Sequence, residues 1–103
     1  MDLKYRVILS DKAKSDIKKI IDGILEISQS AASAKRWYDL IIKKAEALAI
    51  FPEGHARFLG GERVFSVHIG KYRVIYEVLK KDRVVCILRV IYARRALGRV
   101  RLR

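Results

Sequence analysis

A chain of 103 residues with 51% hydrophobic and 33% charged side chains reads as a soluble globular sequence, long enough for one domain over 1–103 with one core. Its formal net charge of +12 points to an anionic partner, and no apolar run approaches the roughly 20 residues that span a bilayer. The single cysteine, Cys86, excludes an internal disulfide, and MDLKYRVILS carries no signal-peptide pattern, so the cytoplasm is the expected compartment.

Leu3 to Leu9 is rich in β-formers, with Tyr5, Val7 and Leu9 on one face and Arg6 on the other, which predicts a strand. Ser10 follows as a helix cap, and Asp11 is placed for the positive end of the helix dipole. Ala13, Ile17, Ile20, Ile21, Ile24 and Ile27 then keep the helical period. SQSAAS, Ser28 to Ser33, is the break. A second helix is predicted from about Ala31 to Ala49, with Ala34, Trp37, Tyr38, Ile41, Ala45 and Leu48 at three- and four-residue spacing. Pro52 ends it, because the residue before a proline is pushed out of helical geometry.

Residues 52–61 are expected to form a loop, closed by Gly60-Gly61. Three strands follow: Arg63 to Ile69, Tyr72 to Leu79 and Arg83 to Ala93, with turns at Gly70-Lys71 and Lys80–Asp82. The last is apolar on both faces, Val84, Cys86, Leu88 and Val90 against Val85, Ile87 and Ile91, which suggests a central strand. The order β-α-α-β-β-β implies an α+β fold, a helical hairpin packed on a mostly antiparallel four-stranded sheet.

The charge is uneven. Residues 1–51 carry a net +3 and residues 52–103 a net +9, with ten arginines against three lysines in the second half. Arginine forks suit phosphate and carboxylate. Arg73, Arg89, Arg94, Arg95 and Arg99 are therefore candidates for partner or anion binding, the first four expected on one connected surface. His55 and His68 are the only histidines, and no metal set or acid–base pair can be built from them; Gly60-Gly61 is only a turn signal, so no phosphate loop and no cofactor are expected. Cys86, among apolar neighbours, is expected in the core, and Trp37 and Tyr38 as packing residues. Tyr76 and Tyr92 read as core or cross-strand partners that could also stack on a base.

Four stretches resemble the RelE/ParE family of type II toxin–antitoxin toxins. They are the strand leading into Ser10, Ala13 and Asp16; the corner Leu48, Ala49, Phe51, Pro52, Glu53, Gly54; the phrase from Gly70 to Val78, GKYRVIYEV; and the phrase from Val85 to Arg95, VCILRVIYARR. The resemblance implies a toxin held inactive by a cognate antitoxin, which wraps it with an acidic or amphipathic segment. Family members divide into RelE-like mRNA interferases, which cut mRNA on the ribosome, and ParE-like inhibitors of DNA gyrase. In the RelE-like enzymes the arginine matching Arg73 contacts the scissile phosphate, and Arg94 would join it as a catalytic residue. The lysines those enzymes place on the preceding strand fall here at Val64 and Ser66. Their C-terminal tyrosine or histidine has no counterpart in Ala96 to Arg103. These departures favour the ParE-like, plasmid-stabilising reading over the interferase. A small nucleic-acid-binding domain without toxicity is the third possibility.

Overall fold

A computed structural model describes residues 4–58, 62–94 and 101–102. The order is β1 (Arg6–Leu9), α1 (Asp11–Ser28), α2 (Ala31–Ala47), a 3₁₀ turn (Pro52–Gly54), β2 (Ala56–Arg57), β3 (Val64–Ile69), β4 (Tyr72–Leu79) and β5 (Val84–Tyr92). Ser10 caps α1: its hydroxyl accepts the Ala13 N–H at 3.1 Å and donates to the Leu88 carbonyl of β5 at 3.0 Å. Ser30 caps α2 by accepting the Ser33 N–H. Among the described residues, no helix is long and apolar enough to cross a membrane.

The sheet has five strands in the order β1-β5-β4-β3-β2, one more than the sequence suggests. The added strand is β2, two residues that pair antiparallel with β3 inside the segment expected to be loop. The pairings are antiparallel except β1 with β5, which is parallel and places Arg6 opposite Val84. The last strand in sequence is thus interior, as its two apolar faces imply.

Its alternation breaks at one point. Ile75 pairs with Arg89, but Tyr76 pairs with Ile87, so the register skips Leu88. Before the bulge Val85 and Ile87 point to the helices; after it Val90 does, and Ile91 turns to the other face. The strict two-residue grouping of Val84, Cys86, Leu88 and Val90 is corrected accordingly. Cys86 is half-buried beside Glu77, in place of the core position expected for it.

The main core lies between the helical hairpin and the sheet. Ala13, Ile17, Ile41, Ala45 and Leu48 from the helical side meet Phe65, Tyr72, Val74, Tyr76, Val85 and Ile87. A smaller cluster on the opposite sheet face joins Phe58, Ile75 and Ile91, with Val64 and Leu102 against it. Tyr76 is wholly buried, stacked on Phe65, and its hydroxyl donates to the Pro52 carbonyl at 2.6 Å. That bond fixes the corner after α2, where Phe51 takes a left-handed φ of 52°. Tyr76→Phe leaves the carbonyl without this donor and is expected to lower stability by about 1 to 2 kcal/mol in urea denaturation. A variant equal to wild type would mean that water replaces the phenol there.

Candidate functional site

Arg73 lies on β4, on the sheet face turned away from the helices. The two-residue turn after Ile69 fixes the hairpin register, which sets His68 directly opposite Arg73. Side chains so paired share one face, with Cβ atoms about 5 Å apart. His68 is exposed and Arg73 half-buried. An Arg73 terminal nitrogen donates to the Ser66 hydroxyl at 3.2 Å, while its Nε is buried with no hydrogen-bond partner. No carboxylate within 4 Å neutralises Arg73 among the described residues. A cation in this state favours an anion from outside the chain.

Val64 packs into the Phe58–Ile75–Ile91 cluster, and Ser66 is buried with its oxygen accepting from Arg73. Neither offers a proton acceptor for catalysis. His68 is therefore the titratable group that the register sets directly opposite Arg73. The turn at Gly70-Lys71 carries that signal in the sequence. His55 stands elsewhere, with its ring edge-on to Tyr76 at 6.4 Å.

Arg89 has a different setting from the open anion site expected for it. Its Nε and one terminal nitrogen donate to both oxygens of Asp16 at 2.7 and 2.9 Å. The other terminal nitrogen donates to the Arg101 carbonyl at 2.7 Å. Asp16 also accepts the Val90 N–H at 2.9 Å, so a side chain of α1 takes the place of a missing neighbour strand beyond β1. Both side chains keep 12% of their surface exposed. The Asp16 contact holds the Arg89 guanidinium above its ordinary pKa. Arg94 is exposed just past β5, and Arg95 and Arg99 lie outside the described residues.

On the helix face, Trp37 meets Tyr72 edge-on at 5.5 Å, and Tyr72 meets Tyr92 at 5.1 Å. The Lys71 ammonium sits 5.8 and 5.6 Å from those two tyrosine rings. Tyr92 is 53% exposed, and Tyr38, expected to pack, is 46% exposed and borders a groove with Ile17 and Ile21 of α1. Burial, with the Tyr92 hydroxyl as a neighbour, pushes the Tyr72 phenol up to about 12. Unfolded tyrosine ionises near 10, so the unfolded chain loses this proton first. The associated stability is complete below about pH 10 and disappears as pH rises toward 12. Urea denaturation across that window is expected to show a steeper fall for wild type than for Tyr72→Phe; equal slopes would exclude Tyr72 as a source. No group of three or more histidine, cysteine or carboxylate side chains is placed to hold a metal among the described residues.

A family model described as the ParE toxin of the type II toxin–antitoxin system, parDE, matches residues 7–97. This chain belongs to that family. Comparison with curated protein sequences gives no match. The ParE-family fold is shared with solved structures. The chromosomal ParDE system of P. aeruginosa aligns with a TM-score of 0.74 at 16% identity, covering 88% of this chain and 98% of that one. The toxin–antitoxin complex RelBE2 of Mycobacterium tuberculosis gives 0.66 at 23% identity, over 89% and 94%. A mutant E. coli toxin RelE in the free state gives 0.63 at 16% identity, over 88% and 85%. At such identities the likeness is one of fold, and it extends to both the ParE and the RelE branches. The GKYRVIYEV phrase of this ParE-family chain is β4 with its turn, and VCILRVIY is most of β5.

Proposed function

We propose that this chain, as one toxin domain over residues 1–103, is the toxin of a type II toxin–antitoxin module and acts in the ParE manner, by inhibiting DNA gyrase in the cytoplasm. A cognate antitoxin neutralises it. The observation that carries the gyrase reading is the surroundings of Arg73. Phosphodiester cleavage by the neighbouring 2′-hydroxyl needs a base, a cation and an acid. Arg73 supplies the cation, but Val64 is apolar and packed, and Ser66 already accepts from Arg73. Arginine is too firmly protonated to be the base.

A second reading, the RelE-like mRNA interferase with Arg73 and Arg94 on the phosphate, draws support from His68 standing opposite Arg73. One experiment separates them. The purified protein is assayed for gyrase supercoiling and, separately, for cuts in mRNA on translating ribosomes. Loss of supercoiling without codon-positioned cuts is expected. Ribosome-dependent cutting that vanishes in both Arg73→Ala and His68→Gln would replace the gyrase reading with the interferase.

A further inference from the structure

The corner after α2 displays two large apolar side chains in succession. Ile50 is 60% exposed and Phe51 83% exposed. Phe51 also holds φ and ψ of 52°, in the left-handed region. A helix that ends this way usually places glycine there, or sometimes asparagine, because the Cβ of other residues crowds the following carbonyl. Pro52 adds to the conflict, since the residue before a proline favours extended backbone. Folding therefore gains nothing from a phenylalanine at this position: its ring buries little surface and its backbone is strained.

The corner is nonetheless held from three sides. The Tyr5 N–H donates to the Ala49 carbonyl at 2.8 Å, which ties the corner to the chain just before β1. Pro52 is buried, and its carbonyl accepts the Tyr76 hydroxyl at 2.6 Å. The Gly54 N–H donates to the Phe51 carbonyl at 3.0 Å. A fixed, protruding apolar pair has the form of an anchor for a shaped socket, because little freedom is left to lose on binding. The charge around it narrows the class of partner. In a chain of net charge +12, residues 45–56 carry Glu46 and Glu53, both exposed, and no lysine or arginine. Of the cations that neighbouring elements bring near, Lys80 is engaged by Glu53 at 3.4 Å and Arg83 lies over the Tyr5 ring. A nucleic acid or an anionic bilayer calls for free cations beside the inserted apolar groups, and neither has a fixed shape to match a fixed corner. A protein socket answers both features.

We propose that Ile50 and Phe51 are the anchor by which this chain docks on its target, the gyrase of the reading above, with the Phe51 ring entering an apolar socket of that enzyme. The inference rests on the gyrase reading and names a contact surface which that reading leaves open. The anchor stands at the end of the helical hairpin remote from the Ser28–Ser30 connection, on different elements from Arg73 and His68. The left-handed backbone of Phe51 is then what holds the ring outward.

The test measures inhibition of supercoiling by purified gyrase holoenzyme, using the full toxin chain. Phe51→Asn removes the ring and suits the left-handed backbone. It is expected to raise the concentration for half-inhibition at least about tenfold, the effect of removing an interface anchor. Its Tm is expected to equal or exceed that of wild type, and its binding to the antitoxin to stay unchanged. Stability kept with inhibition lost is a pairing that a merely structural residue does not give. Phe51→Leu is expected to recover most of the inhibition. Leu40→Gln, at an apolar residue of α2 that is 45% exposed, is expected to stay within about twofold of wild type. Four results would overturn the anchor while the gyrase reading stands. Phe51→Asn could inhibit as wild type does, could lose antitoxin binding to the same degree, or could melt well below wild type. The fourth is Phe51-dependent binding to anionic phospholipid vesicles, to duplex DNA or to a second copy of the chain, in place of the loss of inhibition. A wild-type chain that leaves supercoiling untouched would remove the gyrase reading and the anchor together.

Discussion

Arg89→Met is expected to remove about 3 to 5 kcal/mol of folding stability, the range for breaking one side of a buried ion pair. For a domain of this size such a loss lowers Tm by more than about 10 °C. The pair is two-pronged, at 2.7 and 2.9 Å, with only 12% of each side chain exposed, so solvent offers little substitute. Without Arg89, the Asp16 carboxylate stays half-enclosed with the Val90 N–H as its remaining donor among the described bonds. The Arg101 carbonyl also loses its donor, which loosens Leu102 from the Phe58–Ile75–Ile91 cluster. Asp16→Leu is expected to cost as much, because it strands both the guanidinium and the Val90 N–H. The double variant Asp16→Leu/Arg89→Met leaves no buried charge and is expected to fall short of the summed losses by at least about 1 kcal/mol. Urea denaturation of the four proteins gives this directly. Additive losses, or single variants within about 1 kcal/mol of wild type, would show that the pair is no clamp.

Gly70→Ala is the second severe change, at about 2 to 4 kcal/mol. Two causes combine. Gly70 has φ +57°, a conformation that costs a residue with a side chain about 1 to 2 kcal/mol. A Cβ there also stands 3.0 Å from the far corner of the Trp37 ring, and forcing a packed side chain aside costs about 1 to 3 kcal/mol. The indole is also in edge contact with Tyr72, so moving it disturbs a second packed ring. A second variant divides the causes: Trp37→Leu in the Gly70→Ala background should recover the steric part but none of the backbone part. If Gly70→Ala alone unfolds with the wild-type midpoint, the turn accommodates an L side chain and the argument fails. If it is destabilised but Trp37 emission is unmoved, the strain is in the backbone alone.

The helices were legible because their inward stripes are long and periodic. Ser10 and Pro52 mark their limits, and β4 begins and ends where its alternation does. β2 was not legible: Ala and Arg have no strand preference, and Ala56–Arg57 pair only because β3 passes alongside. The bulge at Leu88 was hidden by the very feature that marked β5 as central. Where both faces of a strand are apolar, as from Val84 to Leu88, either can be inward and register leaves no trace. The Asp16–Arg89 bond joins positions 73 apart, beyond any local pattern. A trace of it existed, since Asp16 interrupts the inward stripe between Ala13, Ile17 and Ile20. His68 beside Arg73 was not read from the sequence, although the two-residue turn between β3 and β4 sets that pairing. The Phe51 corner was legible only as the end of a helix, because a phenylalanine before a proline reads the same whether packed or exposed.

The parallel pairing of β1 with β5 also bears on the chain while it is being made. Leu9 has no strand partner until Ile87 is available, and the Ser10 hydroxyl waits for a carbonyl 78 positions later. An interior strand thus follows all the described elements that pack on it, and α1 keeps part of its apolar stripe in water until β5 arrives. Contacts this distant in sequence slow closure of the native sheet. A nascent chain halted before Val84 therefore lacks both the Asp16–Arg89 bond and the sheet centre. For this ParE-family chain, the order of synthesis delays the native sheet until β5 has been made. That interval is available for a binding partner already present in the cell to meet the emerging helical hairpin first.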